Sequence, residues 1–126
     1  MAVEGPGLLE ALITASPDAI VVVGASGAIE MVNPAVKTLF GYEPGELIGQ
    51  PVETLIPERL RAVHRRHQAG FRAQPLARAM GSGLDLLGQR RDGTTFPVDV
   101  SLAPVNLDGH LMVAAYVRDA TARRRH

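Results

Sequence analysis

A chain of 126 residues is a single domain on length alone, and folding buries roughly two-thirds of the surface its unfolded form exposes. Thirteen Lys and Arg balance thirteen Asp and Glu, so the chain lacks the positive field that nucleic acid or an anionic membrane needs in a partner. With no cysteine it holds no disulfide framework, thiol nucleophile or thiolate metal site, and a reducing cytosol is the easier fit.

The longest apolar run, AIVVVGA, is far too short to span a bilayer, and no basic region followed by a long apolar stretch opens the chain. The reading is a cytoplasmic, untargeted protein. Hydrophobic residues make up 46% and aromatics only 4%, so the core is built of Ala, Val, Leu and Ile. Lys37 is the only lysine, which with the Ala, Gly and Pro content points to a high-GC bacterial source.

From Gly7 to Ala15, Leu8, Leu9, Leu12 and Ile13 fall on one helical face, and Pro17 stops the helix. AIVVVGASGAIEMV reads as two strands around the turn Ala25-Ser26-Gly27, a β-hairpin with Gly27 at positive φ. Asn33-Pro34 opens the next helix, Asn33 as its N-cap, and Gly41 closes it; a further turn from Glu43 to Ile48 ends at Gly49. From Pro57, PERLRAVHRRHQAGFRAQ predicts an amphipathic helix with a solvated basic side. Three strands follow: GLDLLGQRR, then Asp92-Gly93, then TTFPVDVSLAPV with Phe96, Val98, Val100 and Leu102 alternating, then Leu107-Asp108-Gly109, then HLMVAAYVRD. The expected class is α+β, one twisted antiparallel sheet with the helices on one face. ATARRRH closes the chain as the beginning of a linker.

The segments SPDAIVVV, GAIEMVNPAVKTLFGYEPGELIGQP, RRDGTTFPVDVSLAPV and VRDAT, in that order and spacing, resemble a PAS domain along almost the whole chain. One departure stands out: the family's Asp-Ile-Thr is here Asp119-Ala120-Thr121. The resemblance implies a five-stranded antiparallel sheet of order 2-1-5-4-3, with helices clasping a small-molecule pocket against its concave face. It implies a sensory and dimerisation module that is not itself an enzyme and that signals through terminal helices to an output domain. The expected organisation is a helix over 1–16 that meets its copy in a homodimer through Leu8, Leu9, Leu12 and Ile13. The PAS domain proper covers 17–121, and 122–126 begins the linker to a C-terminal output domain. That output is expected to be a histidine kinase, a serine phosphatase regulating a sigma factor, or a cyclic-nucleotide enzyme.

Candidate pocket residues are aliphatic: Leu39, Phe40, Leu47, Ile48, Leu55, Ile56, Leu60, Val63, Phe71 and Met80 from the helical side. Leu86, Val98, Val100, Val113, Ala115 and Val117 come from the strands, with the parity of the last strand left open. A pocket so lined favours an apolar ligand such as a fatty acid, with His64, His67 or an Arg at its mouth meeting a carboxylate. The competing reading is a filled core. His64 and His67 lie three apart and could share a helical face, yet nothing beside them in the sequence completes a metal site. In haem-binding oxygen-sensing relatives a His on this helix is the axial iron ligand, and PERLRAVH resembles the segment that carries it. The haem alternative therefore names His64, although the family's propionate-binding Arg falls at Gly70 here. Flavin is disfavoured, since the photosensors of the family need a Cys and this chain has no Cys or Trp. In relatives an acidic residue of the GELIG type bridges to the basic residue before Asp-Gly, which would make Glu46 and Arg91 partners.

Catalysis finds no support. Ser16, Ser26, Ser82 and Ser101 lack a nucleophile-elbow context, GASGA is not a phosphate loop, and His64 with Asp85 or Asp99 has no nucleophile placed beside it.

Overall fold

The computed structural model describes residues 5–62, 64–65, 78–79 and 86–122. Helix α1 (Gly5–Ala15) leads into strands β1 (Ala19–Val23) and β2 (Ile29–Val32), then the short helices α2 (Ala35–Phe40) and α3 (Pro44–Leu47). Two 3-10 turns (Val52–Leu55 and Glu58–Leu60) precede helical backbone at residues 61, 62, 64 and 65. Strands β3 (Arg78–Ala79), β4 (Leu87–Gln89), β5 (Thr95–Leu107) and β6 (His110–Asp119) follow among the described residues.

The sheet is antiparallel and runs β2-β1-β6-β5-β3, with β4 also on β5. Arg78 and Ala79 pair with Leu102 and Ser101, while Leu87 to Gln89 pair with Pro97 to Thr95, so β3 and β4 are two pieces of one edge. Counted as one, they give the five-stranded order 2-1-5-4-3. Of the expected strand GLDLLGQRR, Leu87–Gln89 form β4, and residues 83–85 lie outside the described residues. Its last two residues enter the turn: the Arg90 N–H bonds the Thr94 carbonyl, and Gly93 takes φ +90°.

Local chemistry accounts for the turns. Gly27 sits at φ +88° between β1 and β2, and Gly41 at +84° ends α2 by donating its N–H to the Lys37 carbonyl. Asp108 and Gly109, both at positive φ, form the two-residue link of the β5–β6 hairpin, in which Leu107 faces His110. Helix α3 is too short to hold itself and relies on a capping box: the Glu43 side chain accepts the Glu46 N–H, and Glu46 Oε1 accepts the Glu43 N–H at 2.9 Å.

The exit of β2 departs from expectation. Pro34, not Asn33, is the N-cap residue of α2, and the Asn33 side chain makes no capping bond there. It is buried instead, its Oδ1 accepting the Ile20 N–H at 2.8 Å and its Nδ2 donating to the Ile13 and Asp18 carbonyls. Those groups come from the end of α1 and the start of β1, where backbone groups lack ladder partners, so the amide serves them in place of the helix.

The sheet separates two apolar layers. On the helical side Ala19, Val21, Val23, Ile29, Val36, Phe40, Leu47, Leu55, Phe96, Val98 and Val117 form the main core. On the other side Ile20, Val22 and Ala114 pack with Ile13 of α1 and Met112. Cross-strand register settles the parity of β6: Val117, Ala115 and Val113 lie opposite Ala19, Val21 and Val23, so all three share the helical face.

Candidate functional site

The floor of the site is the helical face of β1, β5 and β6, whose alternation brings Val98, Val100, Ala115 and Val117 together. Leu39, Phe40, Leu47, Leu55 and Leu86 join them from the surrounding segments. Ile56, Leu60 and Val113 are half-buried. Ile48 does not join this wall: its side chain is 47% exposed, because α3 ends at Leu47 and the backbone at Ile48 turns extended. Val63, His67, Phe71 and Met80 lie outside the described residues.

The clasp over the floor is stitched to the sheet by backbone. Gly49 N–H donates to the Ile29 carbonyl at 2.7 Å, Ile29 N–H to Gln50 at 2.8 Å and Val52 N–H to Gly27 at 3.1 Å, while Ala28 and Pro51 form a bridge. The segment after α3 thus satisfies the outer edge of β2 that would otherwise be open. A second tie runs to the β4–β5 turn: Arg91 donates through Nε and Nη2 to Glu46 Oε2, each at 3.1 Å, and its N–H bonds the Phe40 carbonyl. Phe40 itself stands edge-on to Phe96 with ring centroids 5.3 Å apart. Gly88 leaves room for both rings, since a Cβ there would lie 3.0 Å from Phe40 and 3.2 Å from Phe96. An open cleft of about 280 Å³ lies at this junction, lined by Phe40, Gly41, Arg90, Arg91 and Asp92.

His64 has a partner that sequence reasoning missed. Its Nδ1 lies 2.9 Å from Glu53 Oε2, and the two side chains are only 27% and 17% exposed. A carboxylate accepts only, so Nδ1–H is the donor. Glu53 is eleven residues back, beyond Pro57, and the signal was present in PVETLIP: an acidic residue in a proline-bracketed turn that must fold back on the helix it precedes. Arg61 braces the same contact, its Nε donating to the Glu53 and Ile56 carbonyls at 3.1 Å each. Among the described residues no group of three or more His, Cys, Asp or Glu could hold a metal ion.

At the exit, Asp119 Oδ1 accepts from the Thr121 hydroxyl at 2.6 Å and the Thr121 N–H at 2.8 Å. On α1, Leu8 and Leu12 are 41% and 59% exposed while Ile13 packs on the sheet; the Leu9 side chain lies outside the described residues.

Among the described residues, three carboxylates are held below their ordinary range. Glu46 is lowered chiefly by the Glu43 N–H and further by Arg91, against a desolvation cost. Asp92 is lowered first by the Thr94 hydroxyl, and Asp119 first by the Thr121 hydroxyl. A depressed folded-state value means that each contribution is present above the unfolded pKa and is lost as pH falls through the folded one. Loosening at the exit and the clasp is therefore expected only in acid, with the Asp119 carboxyl titrating below the usual 3.8 by NMR. A midpoint at or above that value contradicts the bonded geometry.

An apolar floor of antiparallel strands, a clasp of short helices over it and a terminal strand leading out define the α+β class in which short helices fold over one face of a single antiparallel sheet. The chain belongs to the PAS family: the profile of the PAS domain matches residues 17–122. Sensor protein FixL of Bradyrhizobium diazoefficiens is 34% identical over 113 residues, and Oxygen sensor protein DosP of Escherichia coli is 31% identical over 101. These matches cover 90% and 80% of this chain but 22% and 13% of the relatives, so it spans only a fraction of their length. Among solved structures, the PAS domain of an HTR-like protein from Haloarcula marismortui superposes with a TM-score of 0.75 at 32% identity, covering 90% of each chain. The domain is a sensory module of signalling proteins. Among the described residues no helix is long and apolar enough to cross a membrane.

Proposed function

We propose that this PAS domain senses a diatomic gas through haem held by His64 and relays the signal to a C-terminal output domain, a kinase or a phosphatase acting in sigma-factor control. The observation that carries it is the His64–Glu53 pair: a little-exposed imidazole whose Nδ1 is held by a carboxylate is the donor arrangement of a histidine metal ligand. One relative named as an oxygen sensor, and the resemblance of PERLRAVH to the axial-ligand segment, support the same residue. Haem with a histidine axial ligand supplies reversible binding of a small gas. With Nδ1 given to Glu53, it is through Nε2 that the His64 ring would hold the haem iron. Leu55, Val98, Val100 and Val117 supply apolar surface that excludes water. The exit strand β6 lies against both β1 and β5, so a shift of the clasp on the floor reaches Asp119 and Thr121 directly.

A second reading rests on the aliphatic floor itself: an apolar ligand such as a fatty acid binds between the floor and the clasp, with no haem. In either case the proposed assembly is a homodimer in which α1 presents Leu8 and Leu12 to its copy. Purified protein supplemented with haem is expected to show a Soret band that His64→Ala abolishes. A protein that stays colourless after supplementation sinks the haem reading. An acyl molecule released on denaturation in native mass spectrometry then supports the second reading, and a dimer without any ligand leaves a pure dimerisation module.

A further inference from the structure

The geometry points to Glu53 as a positioning residue for His64, one that fixes the tautomer and the plane of the imidazole before any ligand arrives. This inference rests on the haem reading for its consequence, but not for the placement of the ring.

Nothing about Glu53 is left loose. Its turn is closed by Thr54 N–H to Pro51 at 3.0 Å and Ile56 N–H to Glu53 at 3.0 Å. Its own carbonyl accepts from Arg61, one helical turn before His64, so the helix grips the backbone of the residue whose side chain grips the helix. On the other flank, Val52 N–H bonds the Gly27 carbonyl and Pro51 bridges Ala28, which fastens the turn to the β1–β2 hairpin. A carboxylate mounted on a backbone held from both sides has few rotamers from which to reach His64, so its hydrogen bond is set by the fold. A side-chain contact on the open surface would be mobile and exchange with water, whereas this one is mostly withdrawn from solvent at both ends.

Two effects follow. The proton is kept on Nδ1, which makes Nε2 the basic nitrogen, and partial negative charge on the ring raises its strength as a metal donor. Any displacement of the His64 ring is also felt by a turn already spliced to the sheet edge.

The first test needs no haem. Nitrogen-15 NMR of the ring in ligand-free protein, above the imidazole pKa, is expected to show the Nδ1–H tautomer for His64 and a shift toward Nε2–H in Glu53→Ala. A wild-type ring already in the Nε2–H form, or a tautomer unmoved by Glu53→Ala, overturns the placement. The second test uses haem-loaded protein and the iron–histidine stretching frequency, which is expected to fall from wild type to Glu53→Gln to Glu53→Ala, with haem retention about 10–100-fold weaker in Glu53→Ala. The isosteric Gln keeps the packing and so separates charge from folding. Equal frequencies in all three proteins overturn the tuning role. If wild type takes up no haem, the haem reading fails while the tautomer still decides the role of Glu53.

Discussion

Asn33→Ala is expected to lower folding stability by about 3 kcal/mol, because one buried amide bonds three backbone groups: it is the acceptor for the Ile20 N–H, and it gives the Ile13 and Asp18 carbonyls shorter bonds than the 3.3 Å ones they take from Ser16. Asn33 is 1% exposed, and its contacts to Ile20, Ile13 and Asp18 are 2.8, 3.0 and 2.9 Å long. The truncation removes the side-chain acceptor of the buried Ile20 N–H and leaves the Ile13 and Asp18 carbonyls with only their longer bonds from Ser16 beside a small apolar void. The Asp variant distinguishes this cause from lost volume. Asn33→Asp keeps the acceptor for Ile20 but sets an oxygen against two carbonyls, so it is expected to be no better than Ala. Urea unfolding of both variants checks the claim, and a loss below about 1 kcal/mol in Ala, or a near-normal Asp variant, contradicts it. Because Asn33 Nδ2 holds the last turn of α1, hydrogen exchange in α1 should accelerate more than in β5 and β6.

The second large effect lies at the join of clasp and hairpin. Phe40→Ala is expected to cost about 3–5 kcal/mol, the range for emptying an aromatic site that cannot collapse. Phe40 is 2% exposed and edge-on to Phe96, whose other contacts include the Arg90 guanidinium 4.1 Å from the ring centroid. The void is rigidly walled: Gly88 has no side chain to advance into it, and α2 is pinned at its end by Gly41 N–H to Lys37 and Arg91 N–H to Phe40. A double-mutant cycle with Phe96→Leu and Phe40→Leu should return a coupling of about 0.5–1.5 kcal/mol. Independent, additive effects would show that the two rings share a core without interacting. Functionally the variant loosens the clasp on the β4–β5 turn, leaving the Arg91 N–H to Phe40 carbonyl bond and the exposed Glu46–Arg91 pair, a weak one, as ties between them.

The turns and helix ends were legible in the sequence because their causes are local. Gly27, Gly41, Gly49, Gly93 and Gly109 all take positive φ, and Pro44 starts α3. Period-two alternation marked the inner face of β5 at Phe96 and Val98. The strand order 2-1-5-4-3 followed from the family resemblance and not from any one segment.

What tertiary structure alone decided has partners far apart in the chain. Asn33 reads as a helix cap because Asn-Pro opens helices, yet its amide is claimed by groups 13 to 20 residues earlier that no local rule can see. The parity of β6 needed the register against β1, since Met112 to Val117 are apolar or small at every position, Tyr116 apart. Ile48 matches Leu47 in composition and differs only in which way the extended backbone points it. The Glu53–His64 contact depends on a reversal at Pro57 that brings a turn and a helix face to face. Sequence by itself therefore determined the β1–β2 hairpin, α2, α3, the strands β5 and β6, their turns and the apolar character of the floor, all set by backbone preference and hydrophobic period, while most of the helix expected from Pro57 lies outside the described residues. Only the packed structure decided which polar groups meet, because hydrogen-bond partners are chosen by proximity in space and every buried donor must find one.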